Sequence, residues 1–300
     1  MAKYGIPYKG SKNSIAKDII EVLPEGKRLV DLFGGGFAIT HCGLESGKWD
    51  KHLYNDVDPL LKPLIEKAIK GEYSYEKFKP QWVSRDDFHR NKDKDGYIKW
   101  VWSFGNDGRT YLFGENIEEY KRQIHQFIVF GEWDEELENL NCPELKNIKG
   151  YTIKERRLEF RKILKQIKNK RIDFERLQQL ERLEQLEQLE RLERLQQLER
   201  LERLERLEIT TMCYTDYEYQ EGDIVYCDIP YENTNKYHKD GFNHQEFYKW
   251  CKTRDYPVYI SSYEIKDEAF KEIWKKEKKV LMCATDNRQT KIERLYKVGD

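Results

Sequence analysis

The 300-residue sequence lacks any run near the roughly 20 apolar residues of a membrane span, and its start, MAKYGIPYKG, lacks the apolar core of a signal peptide. Its six cysteines are scattered, with no Cys-x-x-Cys pair and no histidine at zinc spacing. The net charge is −1, so no global basic field points to nucleic acid or to an anionic membrane. These absences argue against a membrane protein, a disulfide scaffold and a structural zinc site. We expect a soluble, cytoplasmic protein with reduced thiols.

Charge is abundant, at 36% of the residues, and the 13% of aromatic residues argue against general disorder. The positive charge is concentrated locally. Between Lys154 and Arg176, ten Lys or Arg residues accompany four Asp or Glu residues on a predicted helix. This cluster indicates either a nucleic-acid contact or a solvated helix face.

Short apolar runs alternate with segments of helical spacing at both ends of the chain. KRLVDLFGGG and HLYNDVDP are predicted strands, followed by the helical FAITHCGLESG and PLLKPLIEKAIKGE. Strand-like runs return at DIVYCDIP, YPVYISSYE, KKVLMCAT and ERLYKVG, with helical NHQEFYKWCKTR and KDEAFKEIWKKE between them. This alternation predicts an α/β fold with a parallel sheet. We expect residues 1–70 and 209–300 to form one discontinuous domain around an aromatic and charged insert at 71–174.

Residues 175–208 contain only Leu, Glu, Arg and Gln, with Leu at every third position from Leu177 to Leu207. In an α-helix these leucines would step round the axis by about 60° per triplet and form no fixed stripe. Because all four residue types favour helix, we predict an α-helix, with a solenoid-like stack of short turns as the alternative. We assign the repeat no chemistry and favour a tolerated insertion of variable length.

The stretch DLFGGG can bring backbone close to a ligand, because glycines after a strand allow a tight turn before the following helix. Asp56 ends the next predicted strand, where such folds bind ribose hydroxyls. Together they indicate a ligand that contains adenosine. A plain turn with surface acids is the alternative interpretation.

The stretch DIPY places a carboxylate and an aromatic ring at the end of a predicted strand. Asp228 can accept hydrogen bonds and Tyr231 can stack on a planar heterocycle. Pro230 restricts Ile229 to an extended conformation, which can aim its carbonyl outward as a second acceptor. Two acceptors beside a stacking ring suit an amino group, although a structural role is the alternative.

In chain order, YKGSK, DLFGGG, YNDVDP, a long insert, YCDIPY and VYISSYE closely resemble the Dam-like DNA adenine methyltransferases of the alpha arrangement. The resemblance covers roughly residues 4–70 and 209–300. It implies a Rossmann-like methyltransferase sheet with helices on both faces and an inserted, mainly helical target-recognition region. It also implies S-adenosylmethionine as cofactor, double-stranded DNA as partner, no metal, and a monomeric, prokaryotic or phage-encoded enzyme.

The resemblance assigns roles to individual residues. The cofactor would be held by Tyr8, Lys12, Asp31, Phe33, Gly34, Gly35, Gly36, Asp56 and Asp228. A flipped-out adenine would be taken by the catalytic set Asp228, Ile229, Pro230 and Tyr231. Contacts to DNA would come from Arg85, Arg90, Lys92, Lys94, Lys99, Arg109, Tyr111, Arg156, Arg157, Arg161 and Lys165.

One position departs from the family pattern. The family usually has proline where this chain has Ile229, which keeps the backbone carbonyl but changes the rigidity of the turn. Two alternatives to a DNA methyltransferase therefore stay open at this point: an RNA adenine methyltransferase, and a catalytically weakened DNA-binding homologue.

Overall fold

The structure is a computed structural model that describes residues 3–133, 146, 148, 150, 152–167, 184–199, 204–231, 242–280 and 289–299. For residues 164–167, 184, 199, 204, 278–280 and 289–290 it describes the backbone alone. The chain divides into two compact units. The sheet unit comprises Met1–Ile6, Gly10–Lys62 and Leu198–Asp300, and the helical unit comprises Pro7–Lys9 and Pro63–Gln197.

The strands lie in the sheet unit. They are β1 (Arg28–Asp31), β2 (Lys51–Asn55), β3 (Leu207–Thr210), β4 (Asp223–Cys227), β5 (Val258–Ser262), β6 (Lys271–Val280) and β7 (Gln289–Val298). The seven form one mixed sheet in the order β3-β2-β1-β4-β5-β7-β6. From β3 to β5 neighbouring strands are parallel, whereas β7 is antiparallel to β5 and to β6. The sheet thus joins the two ends of the chain, and the α/β prediction is confirmed.

The helices of the described residues are α1 (Ala16–Val22), α2 (Ala38–Ser46), α3 (Leu61–Ile69), α4 (Arg85–Asn91), α5 (Gly96–Val101), α6 (Glu115–Phe130), α7 (Ile153–Ile167), α8 (Glu184–Glu199) and α9 (His244–Lys252). None of them is long and apolar enough to span a membrane. Their ends follow local chemistry. The side chains of Ser84 and Asp95 accept hydrogen bonds from the first turns of α4 and α5, and Gly131 ends α6 with a φ of 81°.

Helices cover both faces of the sheet. Successive residues of a strand point to opposite faces, so neighbouring residues of β1 contact different helices. On one face, Leu29 of β1 shares an apolar cluster with Ile19 of α1 and Ile39 of α2. On the other face, the next residue, Val30, shares a second cluster with Phe247 of α9. The central strand β1 is therefore buried on both faces.

The central strands are also clamped at their amino ends. Arg28 of β1 donates two hydrogen bonds, 2.8 and 2.7 Å long, to the carboxylate of Asp223 in β4. The Tyr217 hydroxyl and the Gln220 amide donate to the same carboxylate. A two-pronged arginine contact of this kind fixes geometry as well as adding energy. It joins two strands whose contacting residues, Arg28 and Asp223, are 195 positions apart in the sequence.

The helix α8 lies within the triplet repeat, and its leucines are buried. Leu186, Leu189, Leu192 and Leu195 are 0% exposed and Leu198 is 1% exposed. At steps of about 60° these five leucines spread over about 240° of the helix surface. Apolar burial that wide is typical of an internal helix and argues against a tolerated insertion. Residues 175–183 and 200–203 of the repeat lie outside the described residues.

Two secondary-structure predictions were wrong. KDEAFKEIWKKE was predicted as a helix, but from Lys271 onward it forms the edge strand β6, whose charged side chains are tolerated because only β7 pairs with it. The end of the repeat was predicted as helical, but Leu204–Arg206 is a 3₁₀ turn and β3 begins at Leu207. Pairing with β2 and β7 overrides local helix propensity in both places.

Candidate active site

The candidate site lies where β1 and β4 end side by side in the sheet unit. From β1 the chain builds outward to β2 and β3, and it then returns to place β4 on the other side of β1. Such a reversal opens a crevice at the carboxyl ends of the strands, which is where ligands of open α/β sheets bind. Asp31 ends β1 and Asp228 directly follows β4, so both carboxylates stand at this reversal.

The glycine turn after β1 is fixed by backbone contacts. Gly35 has a φ of 42°, its N–H donates to Asp56 Oδ2 at 2.8 Å, and its carbonyl accepts from the Tyr54 hydroxyl at 2.8 Å. The Gly36 carbonyl accepts from the Ile6 amide at 2.9 Å. A Cβ at Gly34 would overlap the Tyr54 ring. Packing therefore requires glycine at position 34, and Asp56 is held directly against the turn.

Asp31 is a buried carboxylate, 1% exposed, that is only half satisfied. Its Oδ2 accepts from the Thr40 hydroxyl of α2 at 2.8 Å, whereas Oδ1 has no hydrogen-bond partner among the described residues. Burial raises the pKa of Asp31 to about 7, partly offset by the Thr40 hydroxyl and reinforced by the nearby carboxylates of Asp228 and Asp56. A cationic or hydrogen-bond-donating ligand would satisfy the second oxygen.

Asp228 belongs to a cluster of charged and aromatic side chains. The Lys12 ammonium lies 2.8 Å from Asp228 Oδ1 and 3.9 Å from Glu293 Oε2. The same ammonium lies 4.5 Å from the centre of the Tyr231 ring, and the Tyr231 hydroxyl donates to Glu293 at 2.6 Å. The ring of Tyr263 packs 4.3 Å from that of Tyr231. Lys12, which we predicted to contact the cofactor, is thus paired with the predicted catalytic carboxylate.

The turn after β4 is anchored on both sides of its backbone. The Ile229 side chain, 2% exposed, packs into the apolar cluster that contains Val30 and Phe247. Nε2 of His244, at the start of α9, donates to the Pro230 carbonyl at 2.6 Å. Core packing therefore fixes the position where the family usually has proline.

A model of the D12 class N6 adenine-specific DNA methyltransferases matches residues 8–188, which is more than half of the chain. The chain belongs to this family. It is an adenine-specific DNA methyltransferase, and the predicted family resemblance is confirmed. Among curated proteins, none matches the sequence. The matched region includes the glycine turn and Asp56, and it ends before Asp228.

The remaining predicted cofactor residues of the methyltransferase fall in both units. Phe33, half-buried, lies in the sheet unit, where its ring packs 5.5 Å from that of Phe247. Tyr8 belongs to the helical unit, where its ring lies 4.6 Å from that of Trp100. The cofactor roles of both residues stay predictions. Among the residues that the structure describes, no group of His, Cys, Asp and Glu is arranged to hold a metal ion.

The basic residues predicted to contact DNA differ in their exposure within the helical unit. Arg90, Lys94 and Arg109 are exposed, and Lys92 and Lys99 are half-buried. Arg85 is committed internally, because it donates to the Phe113 carbonyl at 2.7 Å and pairs with Glu118 at 3.2 Å. Tyr111 is 3% exposed and donates its hydroxyl to the Val83 carbonyl. This burial does not favour base reading by Tyr111, whose contact with DNA stays a prediction.

The arginines of α7 also have partners within the protein. Arg156 donates to the carbonyls of Ile128 and Val129 at the end of α6, and Arg157 forms an ion pair with Glu190 of α8. Both side chains are buried, which does not favour phosphate contacts, and their contacts with DNA stay predictions. Arg161 pairs with Glu187 at 2.6 Å while remaining partly exposed, and the side chain of Lys165 lies outside the described part of the chain.

Sequence reasoning missed three residues of the site. Thr40 and Tyr54 support Asp31 and the glycine turn through hydroxyls on α2 and β2, where a lone hydroxyl carries no sequence signal. Glu293 does carry one. It lies two residues before Leu295 in β7 and so shares the buried face of that strand, which is an unusual place for a carboxylate.

Proposed function

We propose that this methyltransferase transfers a methyl group from S-adenosylmethionine to the exocyclic amino group of an adenine flipped out of double-stranded DNA. The proposal depends most on one observation, the pairing of β1 with β4, which brings Asp31, the glycine turn and Asp228 to a single sheet edge. These residues come from opposite ends of the chain, and that pairing brings them together.

The residues at this edge fit the cofactor. Oδ1 of Asp31 is buried without a partner in the described residues, and Asp56 is held against the glycine turn with its carboxylate partly exposed. We assign Asp56 to the ribose hydroxyls, and Asp31 and Phe33 to the pocket lining. When bound, S-adenosylmethionine supplies a methyl group carried on a positively charged sulfur. Acidic side chains around the site would favour such a cation.

The adenine amino group is a weak nucleophile, because its lone pair is delocalised into the ring. We assign Asp228 and the Ile229 carbonyl as acceptors for its two hydrogens, which would stabilise the nitrogen as positive charge develops on it. Access to that nitrogen requires extrusion of the base, and Tyr231 would replace the lost stacking. The buried Ile229 side chain supports this role, because its packing holds the carbonyl in place without the family's usual proline.

Contacts to DNA are assigned to the exposed cations Arg90, Lys94 and Arg109 of the helical unit. Side chains of this kind contact phosphates in a manner that weakens as salt rises. The half-buried Lys92 and Lys99 and the partly exposed Arg161 are kept as secondary candidates.

The test is a transfer assay with labelled S-adenosylmethionine and unmethylated duplex DNA, followed by nucleoside analysis. We expect N6-methyladenine in the DNA and none in an equal amount of competitor RNA. Asp228→Ala should lower kcat by about 10²- to 10³-fold, while calorimetry shows cofactor affinity close to that of the wild type. The matched control is Asp216→Ala, which removes an exposed carboxylate from the same unit and should retain full activity.

Other outcomes would select a rival function. Methylation of the RNA in preference to DNA would establish the RNA adenine methyltransferase. Binding of DNA without any transfer by the wild-type protein would establish the weakened homologue. Near-normal turnover by Asp228→Ala would overturn the assigned role of the carboxylate.

A further inference from the structure

Glu293 is a buried carboxylate that the proposed chemistry does not use. Its side chain is 4% exposed and lies on β7, on the strand face that also carries Leu295. It accepts a 2.6 Å hydrogen bond from the Tyr231 hydroxyl, and the Lys12 ammonium lies 3.9 Å away. Burial of a carboxylate is costly unless it is paired, so these two partners account for its presence there.

The contact with Tyr231 fixes the orientation of a ring. A stacking residue has to hold its plane before the base arrives, because any freedom lost on binding weakens the interaction. The hydrogen bond to Glu293 ties down the far end of the Tyr231 side chain, while the Tyr263 ring packs beside it at 4.3 Å. Hydrogen bonds to charged acceptors are stronger than neutral ones.

Glu293 also lies near the Lys12 ammonium, which suggests a second role for its carboxylate. In the described arrangement the Lys12 ammonium contacts Asp228 and lies over the Tyr231 ring, which are the two groups assigned to the adenine. An amino group that arrives at Asp228 therefore competes with Lys12 for the same carboxylate. Glu293 is the second carboxylate near this ammonium, so it can keep the cation partnered as Asp228 turns to the base.

Building on the proposed function, we propose that Glu293 is a positioning residue for methyl transfer. It orients the Tyr231 ring through its hydroxyl, and it holds the Lys12 ammonium while Asp228 accepts the adenine amino group. Glu293 does not touch the reacting atoms itself.

The test compares Glu293→Ala, Glu293→Gln and Tyr231→Phe in single-turnover transfer. Loss of a hydrogen bond to a charged group corresponds to about 10- to 100-fold in rate, so we expect Glu293→Ala to slow transfer by that factor. Glu293→Gln keeps an acceptor for Tyr231 but loses the charge, and it should recover part of the rate. The matched control is Glu277→Gln, an exposed glutamate of the neighbouring strand, which should behave as wild type.

A positioning role makes predictions that a purely structural role does not. The double variant Glu293→Ala/Tyr231→Phe should be little slower than the slower of its two single variants, because both remove the same hydrogen bond. Fluorescence of 2-aminopurine, placed at an adenine that the wild type methylates, should show a less stacked base in Glu293→Ala. Cofactor affinity should stay within about twofold of wild type if the fold is intact.

The outcomes separate this inference from the proposed function. Suppose that the wild type methylates adenine in DNA and that Glu293→Ala transfers at the wild-type rate. The positioning role is then overturned and the proposed function stands. If the alanine variant does not fold, Glu293→Gln replaces it in this comparison. Strictly additive losses in the double variant would also overturn the positioning role. If the wild type does not methylate adenine in DNA, the proposed function itself fails.

Discussion

Charged residues are abundant both at the sheet edge formed by the carboxyl ends of β1 and β4 and between α7 and α8, but their pairing differs. At the sheet edge, Asp31 keeps an oxygen with no partner in the described residues. Between α7 and α8, Arg157 pairs with Glu190 and Arg161 pairs with Glu187. A charge cluster in the sequence therefore does not identify a binding surface by itself. What distinguishes the sheet edge is the buried carboxyl group of Asp31, which has no ion-pair partner among the described residues.

The largest effect that would sharpen this comparison is expected from Arg157→Met. The arginine is buried and its partner Glu190 is one-third exposed, so the change should lower the free energy of unfolding by roughly 2–3 kcal/mol, less than for a fully buried pair. The control on the same helix is Lys154→Met, whose exposed pair with Glu193 should contribute at most about 1 kcal/mol. Denaturant unfolding measures both variants. Reduced DNA affinity in fully folded Arg157→Met, with unchanged stability, would show that the arginine contacts DNA rather than stabilising the helix pair.

At the sheet edge, the corresponding change is Gly34→Ala. The added methyl group would overlap the Tyr54 ring, so overpacking should destabilise the protein by about 1–3 kcal/mol and displace the turn that holds Asp56. We expect cofactor affinity to fall with it, as measured by calorimetry at a temperature where the variant is folded. At Gly47 a Cβ meets open space, so Gly47→Ala should cost only the strain of its positive φ, about 1–2 kcal/mol, and leave cofactor affinity unchanged. Equal cofactor affinity in the two variants would contradict a role of the glycine turn in the pocket.

A third effect concerns pH. Because the pKa of Asp31 is about 7 in the folded protein and near 3.9 in an unfolded chain, the folded state binds the extra proton between these values. The unliganded protein should therefore lose stability as pH rises from about 4 through about 7. A cationic cofactor favours the ionised carboxylate, so its affinity should rise by up to tenfold per pH unit below about 7 and then level off.

The same pH series, repeated with Asp31→Asn, distinguishes titration of Asp31 from titration of other groups. Asp31→Asn should flatten both the stability profile and the affinity profile, and calorimetry in buffers of different ionisation enthalpy should show that cofactor binding releases a proton only in the wild type. A wild-type affinity that does not vary between pH 6 and pH 8 would show that Asp31 is not coupled to the cofactor.

The sequence was sufficient for the part of the fold where local pattern and tertiary pairing agree. The short apolar runs at β1, β2, β4 and β5 are buried strands with turn residues at their ends, and α2 follows the glycines as predicted. The acidic residues at the strand ends were also predictable, because parallel strands place such residues at one edge. This agreement accounts for Asp31, Asp56 and Asp228.

What the sequence did not show depends on distant partners. Lys271–Val280 has helical composition, and only its pairing with β7 makes it a strand. The arginines of α7 resemble a surface patch until the glutamates of α8 and the carbonyls of α6 are placed against them. The alternation of β7 marks Glu293 as an inward-facing carboxylate, but only the fold brings it beside Tyr231 and Lys12.

The triplet spacing of α8 has one further consequence, for alignment. If the helix slid by three residues, about 4.5 Å, leucine would replace leucine at each buried leucine position. The glutamates at 187, 190 and 193 would likewise replace one another opposite α7. Most of its contacts are therefore degenerate between neighbouring registers. Gln185 disfavours the shift in one direction. Its side chain is buried and lies 3.2 Å from His125, and a shift that brought Arg182 to this position would bury a cation there. A single amide thus selects among otherwise interchangeable alignments.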